Sequence, residues 1–308
     1  MFQEITYVLT ILFLSSKKQP KLICRTTHSL EPLSTMRITI CVLILLMLSS
    51  GIIPEGSDES AHVNLADEIQ FDCVGQVVKV DSDCGSFVLI NDSTILSAAH
   101  NFVNSKNPKL DSTINLNLFK FIIDSSEYIG TDITIHPSYF IDSLCTGHDL
   151  AIIRLNQKVQ RVKPAILNQT ANELNEKVIT VGYGVFMIAG SNKIGTNRKI
   201  AGENIVDSLS NLGNDGKMYV LNCDFDSPNN SACNKTGSAT ALNLETGLTG
   251  GDSGGGLFIE VKGEWYLIGI SSKTKHFTSQ SNCVDYGQLD QWTRIKTNYN
   301  WIVNSDGM

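Results

Sequence analysis

Several hallmarks of well-known protein classes are missing from this 308-residue sequence. No internal repeat or low-complexity tract appears beyond residue 51, and no two of the eight cysteines have the C-x-x-C spacing of a zinc site. His100, His136 and His148 also lack the i, i+4 spacing with a carboxylate that helical metal sites use. We therefore expect neither a metal nor a cofactor.

Positive charge is scarce as well. Lys and Arg number 24 against 31 Asp and Glu, and five of these basic residues but only two of the acidic ones fall in the first 50 positions. The remainder carries 19 basic and 29 acidic residues, which argues against a phosphate-binding surface and against nucleic acid as a partner. With 42% apolar and 18% charged residues, the chain is expected to fold as one large or two small domains.

No apolar run at the N-terminus is long enough to cross a membrane. The run at 38–48 has eleven residues, too few to span a bilayer as a helix. Met36 and Arg37 precede it and Ser49-Ser50-Gly51 follow it, an order of positive charge, apolar core and small residues that is typical of a secretory signal.

This pattern predicts a leader at 1–51, with the signal at 36–51, and a mature domain at 52–308. We expect a secreted protein, extracellular or periplasmic, that is a monomer. An uncleaved leader that anchors the chain to a membrane is the alternative.

Six cysteines follow the leader, and an even number in an exported chain favours disulfides. Pairing between near neighbours predicts Cys73 with Cys84 and Cys223 with Cys233, which leaves Cys145 with Cys283. Six cysteines allow 15 connectivities, so other pairings stay open.

The rest of the chain contains short β-rich runs separated by turn residues, a spacing that favours an all-β sandwich or barrels. Only about 296–304 is typical of a helix. The predicted strands are 75–80, 87–90, 94–98, 119–123, 151–155, 178–183, 218–221, 257–261 and 266–271.

One stretch, TGGDSGGGLF at 249–258, crowds five glycines around Ser253. Glycine is entropically costly unless the backbone needs positive φ or a close approach, so the run indicates a site more than a packing element. A flexible linker is the alternative, but the run leads directly into an apolar strand.

A serine hydroxyl needs a base and a group that orients the base. His100 ends a β run and Asp149 begins one, and either alone is an ordinary structural residue. The G-x-S-x-G pattern around Ser253 also fits an esterase elbow, which requires the acid and then the histidine after the serine. Only His276 follows, whereas His100, Asp149 and Ser253 have the chymotrypsin order.

The motifs LSAAH, HDLAIIRL, GGDSGGGLF and WTRIKTNYNWI resemble landmarks of the trypsin-like (chymotrypsin-fold) serine peptidases. The resemblance covers roughly 70–303 and is closest to secreted members of bacterial type. It implies two six-stranded antiparallel β-barrels, at about 70–165 and 175–295, with a short C-terminal helix.

The resemblance also implies roles for single residues. His100 would be the general base, Asp149 would orient it and Ser253 would be the nucleophile. The N–H groups of Gly251 and Ser253 would form the oxyanion hole, and Ser272 would support Asp149.

The sequence departs from the family pattern at several positions. Asn101 stands where a cysteine usually follows the histidine, and Gly247 stands where a trypsin-like specificity aspartate would lie. Asp290 is predicted to enter the specificity pocket from the opposite wall and to favour basic P1 residues. Asp252 is predicted to pair with a new N-terminal amine at Ile52, or else with an internal partner.

The predicted function is that of a secreted serine endopeptidase that acts on proteins or peptides through an acyl-enzyme intermediate. An inactive homologue serving as a binding module is the main alternative, and an esterase on the same barrels is another.

Overall fold

The structure is a computed structural model that describes residues 51–80, 82–103, 114–141, 146–191, 198–276, 283 and 285–306. Apart from Gly51, the predicted leader lies outside the described residues, as does Cys145. Within the described ranges, no helix is both long and apolar enough to cross a membrane.

The first half of the chain forms an antiparallel sheet whose two ends are joined by one bent strand. Strand order is β6-β5-β2-β3-β4-β8-β7, and only Ile129 separates β6 from β7. Because β6 pairs with β5 and β7 pairs with β8, this bent strand closes the sheet into a six-stranded barrel. The elements are β1 Ile52–Ile53, α1 Glu59–Ala66, β2 Val74–Lys79, β3 Ser82–Asn91, β4 Thr94–Ser97, β5 Phe119–Ile123, β6 Ser126–Tyr128, β7 Gly130–Ile135 and β8 Ala151–Leu155.

The second half closes in the same way. Its strand order is β12-β10-β15-β16-β17-β14-β13, with β12 paired to β10 and β13 paired to β14. Only Val206 and Asp207 separate β12 from β13, so these two form one bent strand that closes a second six-stranded barrel. The elements are β9 Ile166–Leu167, β10 Lys177–Gly182, β11 Met187–Ile188, β12 Ile200–Ile205, β13 Ser208–Leu212, β14 Met218–Asp224, β15 Gly256–Val261, β16 Glu264–Lys275, β17 Leu289–Arg294 and α2 Ile295–Asp306.

The predicted all-β fold of two six-stranded antiparallel barrels with a C-terminal helix is therefore confirmed. Two short parallel pairings add to it, since β9 joins β16 and β1 joins β11. Along each strand of a barrel, side chains point alternately into the barrel and out of it. The inward-pointing aliphatic and aromatic side chains form the core.

Helix α1 was not expected from the sequence. Asp58 caps it by accepting a hydrogen bond from the Ser60 N–H, and it packs against β12, where His62 Nδ1 contacts the Ala201 carbonyl oxygen at 2.9 Å. Only His62 and Ala66 of this helix are buried, too few to make an apolar stripe in the sequence.

The predicted disulfides are wrong. Cys233 is bonded to Cys283, with the two Cα atoms 5.3 Å apart, while Cys73 and Cys223 are free and buried. This outcome contradicts the expected pairs Cys223–Cys233, Cys145–Cys283 and Cys73–Cys84.

The correction has a structural reason. Cys223 lies on β14 and points into the core of the second barrel, beside Leu221 and Trp292. Cys233 lies in a single turn after the chain has left that strand, where it meets the segment that precedes β17. Nearness in sequence therefore misled the pairing, because a strand and the loop after it point their side chains in different directions.

Candidate active site

Three polar side chains converge at the cleft between the two barrels. His100 lies in a single turn just after β4, and Asp149 comes two residues before β8. Because β4 and β8 are antiparallel neighbours, with Ser97 opposite Ala151, the end of one strand meets the start of the other. Ser253 comes from the turn before β15, in the second barrel.

The three residues form a continuous chain of hydrogen bonds. Asp149 Oδ2 lies 2.6 Å from His100 Nδ1, and Asp149 Oδ1 accepts a bond of 3.0 Å from the His100 backbone N–H. His100 Nε2 lies 2.7 Å from Ser253 Oγ. The Ser272 hydroxyl donates to Asp149 Oδ2 at 2.5 Å. The structure thus brings together four side chains that are far apart in sequence.

The charge states of this chain follow from its contacts. Asp149 is only 4% exposed, and this burial raises its pKa. The charge on the His100 imidazole and the hydrogen bonds from His100 and Ser272 lower the pKa by more, so the net shift is downward. Burial lowers the pKa of His100 while the Asp149 charge and hydrogen bond raise it, with a net rise. Asp149 is a carboxylate that only accepts, so Nδ1 carries a proton and Nε2 is free to accept the Ser253 proton.

The turn around Ser253 depends on two glycines with positive φ, Gly251 at 95° and Gly254 at 90°. A Cβ at Gly254 would lie 2.2 Å from the Ser86 carbonyl oxygen, so a side chain is excluded there. The N–H groups of Asp252, Gly254 and Gly255 donate to internal carbonyls. Among the described residues, no acceptor is recorded for the N–H groups of Gly251 and Ser253.

Asp252 is buried directly beneath this turn. Its Oδ2 accepts a bond of 2.6 Å from the backbone nitrogen of Gly51 and further bonds from the N–H and hydroxyl of Thr249. Burial raises the pKa of Asp252 to about 7 despite these bonds. The expected partner, Ile52, instead donates its N–H to the Gly247 carbonyl oxygen at 2.9 Å. With the peptide bond before Ile52 intact, Asp252 is therefore paired internally with Gly51 and Thr249, and Ile52 is committed to a backbone bridge.

A cavity of about 330 Å³ opens beside Ser253. Its lining includes Thr249, Thr274 and Gln288, with Lys273 and His276 among the more exposed residues. Neither Gly247 nor Asp290 is part of this lining among the described residues.

Asp290 lies behind the cavity wall, only 2% exposed. Its carboxyl accepts from the Leu248 N–H at 2.6 Å and the Thr274 hydroxyl at 2.8 Å, and burial raises its pKa to about 8. Gln288 Nε2 donates to the Leu248 carbonyl oxygen at 2.7 Å and contacts Asp290 Oδ1 at 3.2 Å. Both contacts fix the amide nitrogen of Gln288, whose side chain lines the cavity.

Sequence reasoning missed Gln288. A usable signal existed, because residues i and i+2 of a strand share a face, and Gln288 comes two residues before Asp290 at the start of β17. Within the described part of the chain, no group of three or more His, Cys, Asp or Glu side chains is arranged to hold a metal ion.

A family model described as Trypsin matches residues 66–302, which contain His100, Asp149, Ser253 and Ser272. No curated protein matches the chain.

Proposed function

Because the chain belongs to the trypsin family of serine peptidases, we propose that it is a secreted endopeptidase that cleaves peptide bonds through an acyl-enzyme. One observation carries the proposal: Asp149, His100 and Ser253 are joined by hydrogen bonds of 2.6 and 2.7 Å in the order that nucleophilic catalysis needs.

In the first half of the reaction, His100 Nε2 takes the Ser253 proton as Oγ bonds to the substrate carbonyl carbon. Asp149 holds the Nδ1–H and stabilises the imidazolium. The C–N bond then breaks, and the departing amine takes the proton from Nε2, which leaves the acyl group on Ser253. In the second half, water attacks the ester, His100 accepts its proton and returns it to Oγ, and the acid product leaves.

The N–H groups of Gly251 and Ser253 are the proposed oxyanion donors. No internal acceptor is recorded for either N–H among the described residues. Each such donor stabilises the transition state by roughly 3 kcal/mol. The absence of a side chain at Gly254 lets the turn that carries these donors pack against the Ser86 carbonyl oxygen of the first barrel.

Activation is proposed to follow from removal of the leader. Cleavage after Ser50 would turn the Gly51 nitrogen, already 2.6 Å from Asp252 Oδ2, into an ammonium group. An ion pair there would hold Asp252 ionised and fix the turn that carries the oxyanion donors. The Cys233–Cys283 disulfide agrees with export to an oxidising compartment. N-terminal sequencing of the active protein tests this step, and a start other than Gly51 would overturn it.

The proposed primary specificity is for basic P1 residues, with Gln288 as the contact and Asp290 behind it. The Gln288 carbonyl oxygen can accept from a lysine or arginine side chain, and the buried Asp290 carboxyl would supply charge once ionised. Cleavage of a peptide library by wild type and Asp290→Ala tests this. A profile without basic preference, or one that the substitution leaves unchanged, argues against it.

The proposed chemistry itself is tested with Ser253→Ala on casein. Loss of the nucleophile should lower kcat on the order of 10⁶-fold. Equal activity of variant and wild type would instead indicate a binding module, and strong ester cleavage without amide cleavage would indicate an esterase.

A further inference from the structure

The residue that follows the base reaches across to the other barrel. Asn101 Nδ2 donates to the carbonyl oxygen of Ser253 at 2.9 Å and contacts Ser97 Oγ at 3.3 Å. The side chain next to His100 in sequence therefore touches the backbone of Ser253 in space.

A glycine makes room for this contact. A Cβ at Gly85 would lie 2.6 Å from Asn101 Nδ2 and equally 2.6 Å from the Ser253 carbonyl oxygen. Both distances are far below van der Waals contact, so the amide and the carbonyl can meet only because Gly85 lacks a side chain. The hydrogen bond between Asn101 and the Ser253 carbonyl therefore requires a glycine at position 85.

The same carbonyl has a second donor from the first barrel, the Ser86 N–H at 2.8 Å. On the other side of the same peptide bond, the Gly254 N–H donates to the Ser271 carbonyl oxygen at 2.9 Å, inside the second barrel. The peptide group between Ser253 and Gly254 is therefore held by both barrels at once.

We propose that Asn101 is a positioning residue that sets the distance between His100 and Ser253, a role that rests on the proposed peptidase function. His100 and Asn101 share a peptide bond, so a donor on Asn101 moves with the imidazole. Its bond to the Ser253 carbonyl fixes the backbone that carries Oγ, which lies 2.7 Å from His100 Nε2. The position is one where the family resemblance predicts a cysteine, and here an amide ties the two barrels together without a covalent bond.

The test compares Asn101→Ala, Asn101→Asp and wild type, each expressed as the full chain and quantified by fluorophosphonate labelling of Ser253. Misplacing reacting groups by about 1 Å can cost 10²-fold in rate. We therefore expect kcat per labelled site to fall about 10- to 100-fold in Asn101→Ala, with KM changed less than about 3-fold. Asn117→Ala is the matched control, because Asn117 is an exposed asparagine of the same barrel.

Asn101→Asp separates positioning from packing. The carboxylate has the size of the amide but cannot donate to the Ser253 carbonyl, and its charge stabilises the protonated form of His100 beside it. We expect a loss of kcat at least as large as in Asn101→Ala, together with an upward shift of the acid limb of the kcat/KM profile.

Four results would decide against the role. Variants that match wild type in kcat per labelled site would show that the bond does not position the nucleophile. A lower melting temperature with unchanged kcat per site would show a purely structural role, as would an unshifted acid limb in Asn101→Asp. If wild type neither labels nor cleaves any substrate, the proposed function fails and this role fails with it.

Discussion

Replacing Asp149 with asparagine exchanges one carboxylate oxygen for an NH₂ group and should almost abolish activity. Three donors converge on this carboxylate: the His100 Nδ1–H and the Ser272 hydroxyl at Oδ2, and the His100 backbone N–H at Oδ1. Asparagine offers an acceptor on one side only, so its NH₂ group must face a donor whichever way it points. The imidazole can relieve this conflict by moving its proton to Nε2, which removes the base from Ser253.

The expected magnitude follows from that tautomer change. A loss of about 10⁴-fold in kcat is expected from the wrong tautomer, with the oxyanion donors and substrate binding left in place. The acid limb should also move. Burial lowers the pKa of His100 while Asp149 raises it, so without the carboxylate the remaining burial should move that pKa below its ordinary value.

The assay is the pH profile of kcat/KM for Asp149→Asn, with Ser253 labelling to count folded sites. Asp132→Asn is the control, since Asp132 is an exposed aspartate of the same barrel, 4.0 Å from Arg154. Activity of Asp149→Asn above one-tenth of wild type would refute the reasoning, and so would an acid limb that stays where it was.

Three further outcomes follow from the structure. Gly254→Ala forces a Cβ to within 2.2 Å of a backbone oxygen at φ 90°, so it should cost about 2 kcal/mol or more of stability in chemical denaturation and nearly all activity. Burial raises the pKa of Glu245 to about 9 from 4.5. The folded state therefore holds the Glu245 proton more tightly than the unfolded state does. The stability that this proton contributes is full below pH 4.5 and is lost as the pH rises to about 9, at about 1.4 kcal/mol per pH unit. In Glu245→Gln, the melting temperature should consequently fall less between pH 6 and 9 than it does in wild type. Because the pKa of Asp290 is about 8, cleavage after lysine relative to an uncharged P1 residue should increase from pH 7 to 9, and an unchanged ratio would contradict the proposed pocket.

Local patterns in the sequence predicted an all-β fold and singled out His100, Asp149 and Ser253, while the two barrels and the meeting of these residues were implied by the family resemblance. Short strands between turn residues specify the sheets, and His100 and Asp149 stand at the ends of two such strands. Once those strands pair, their ends meet with little freedom.

The features that the sequence could not predict depend on the direction in which a side chain points or on the register between paired segments. Cys233 was assigned to the wrong partner because the turn that carries it faces the segment before β17. Asp252 meets Gly51 and not Ile52, a one-residue difference set by the bridge to Gly247. The contact of Asn101 with Ser253 depends on the space left by Gly85, which no pattern in the sequence indicates.

Because the site is divided between two barrels, its residues are synthesised at different times. A ribosome finishes the barrel that holds His100 and Asp149 about a hundred residues before it adds Ser253. The last strands of the second barrel come later still, so the nucleophile can meet its base only when nearly the whole chain has been made. A nascent chain therefore carries the base without the nucleophile, and the hydrogen-bonded series of Asp149, His100 and Ser253 can form only once the second barrel has folded.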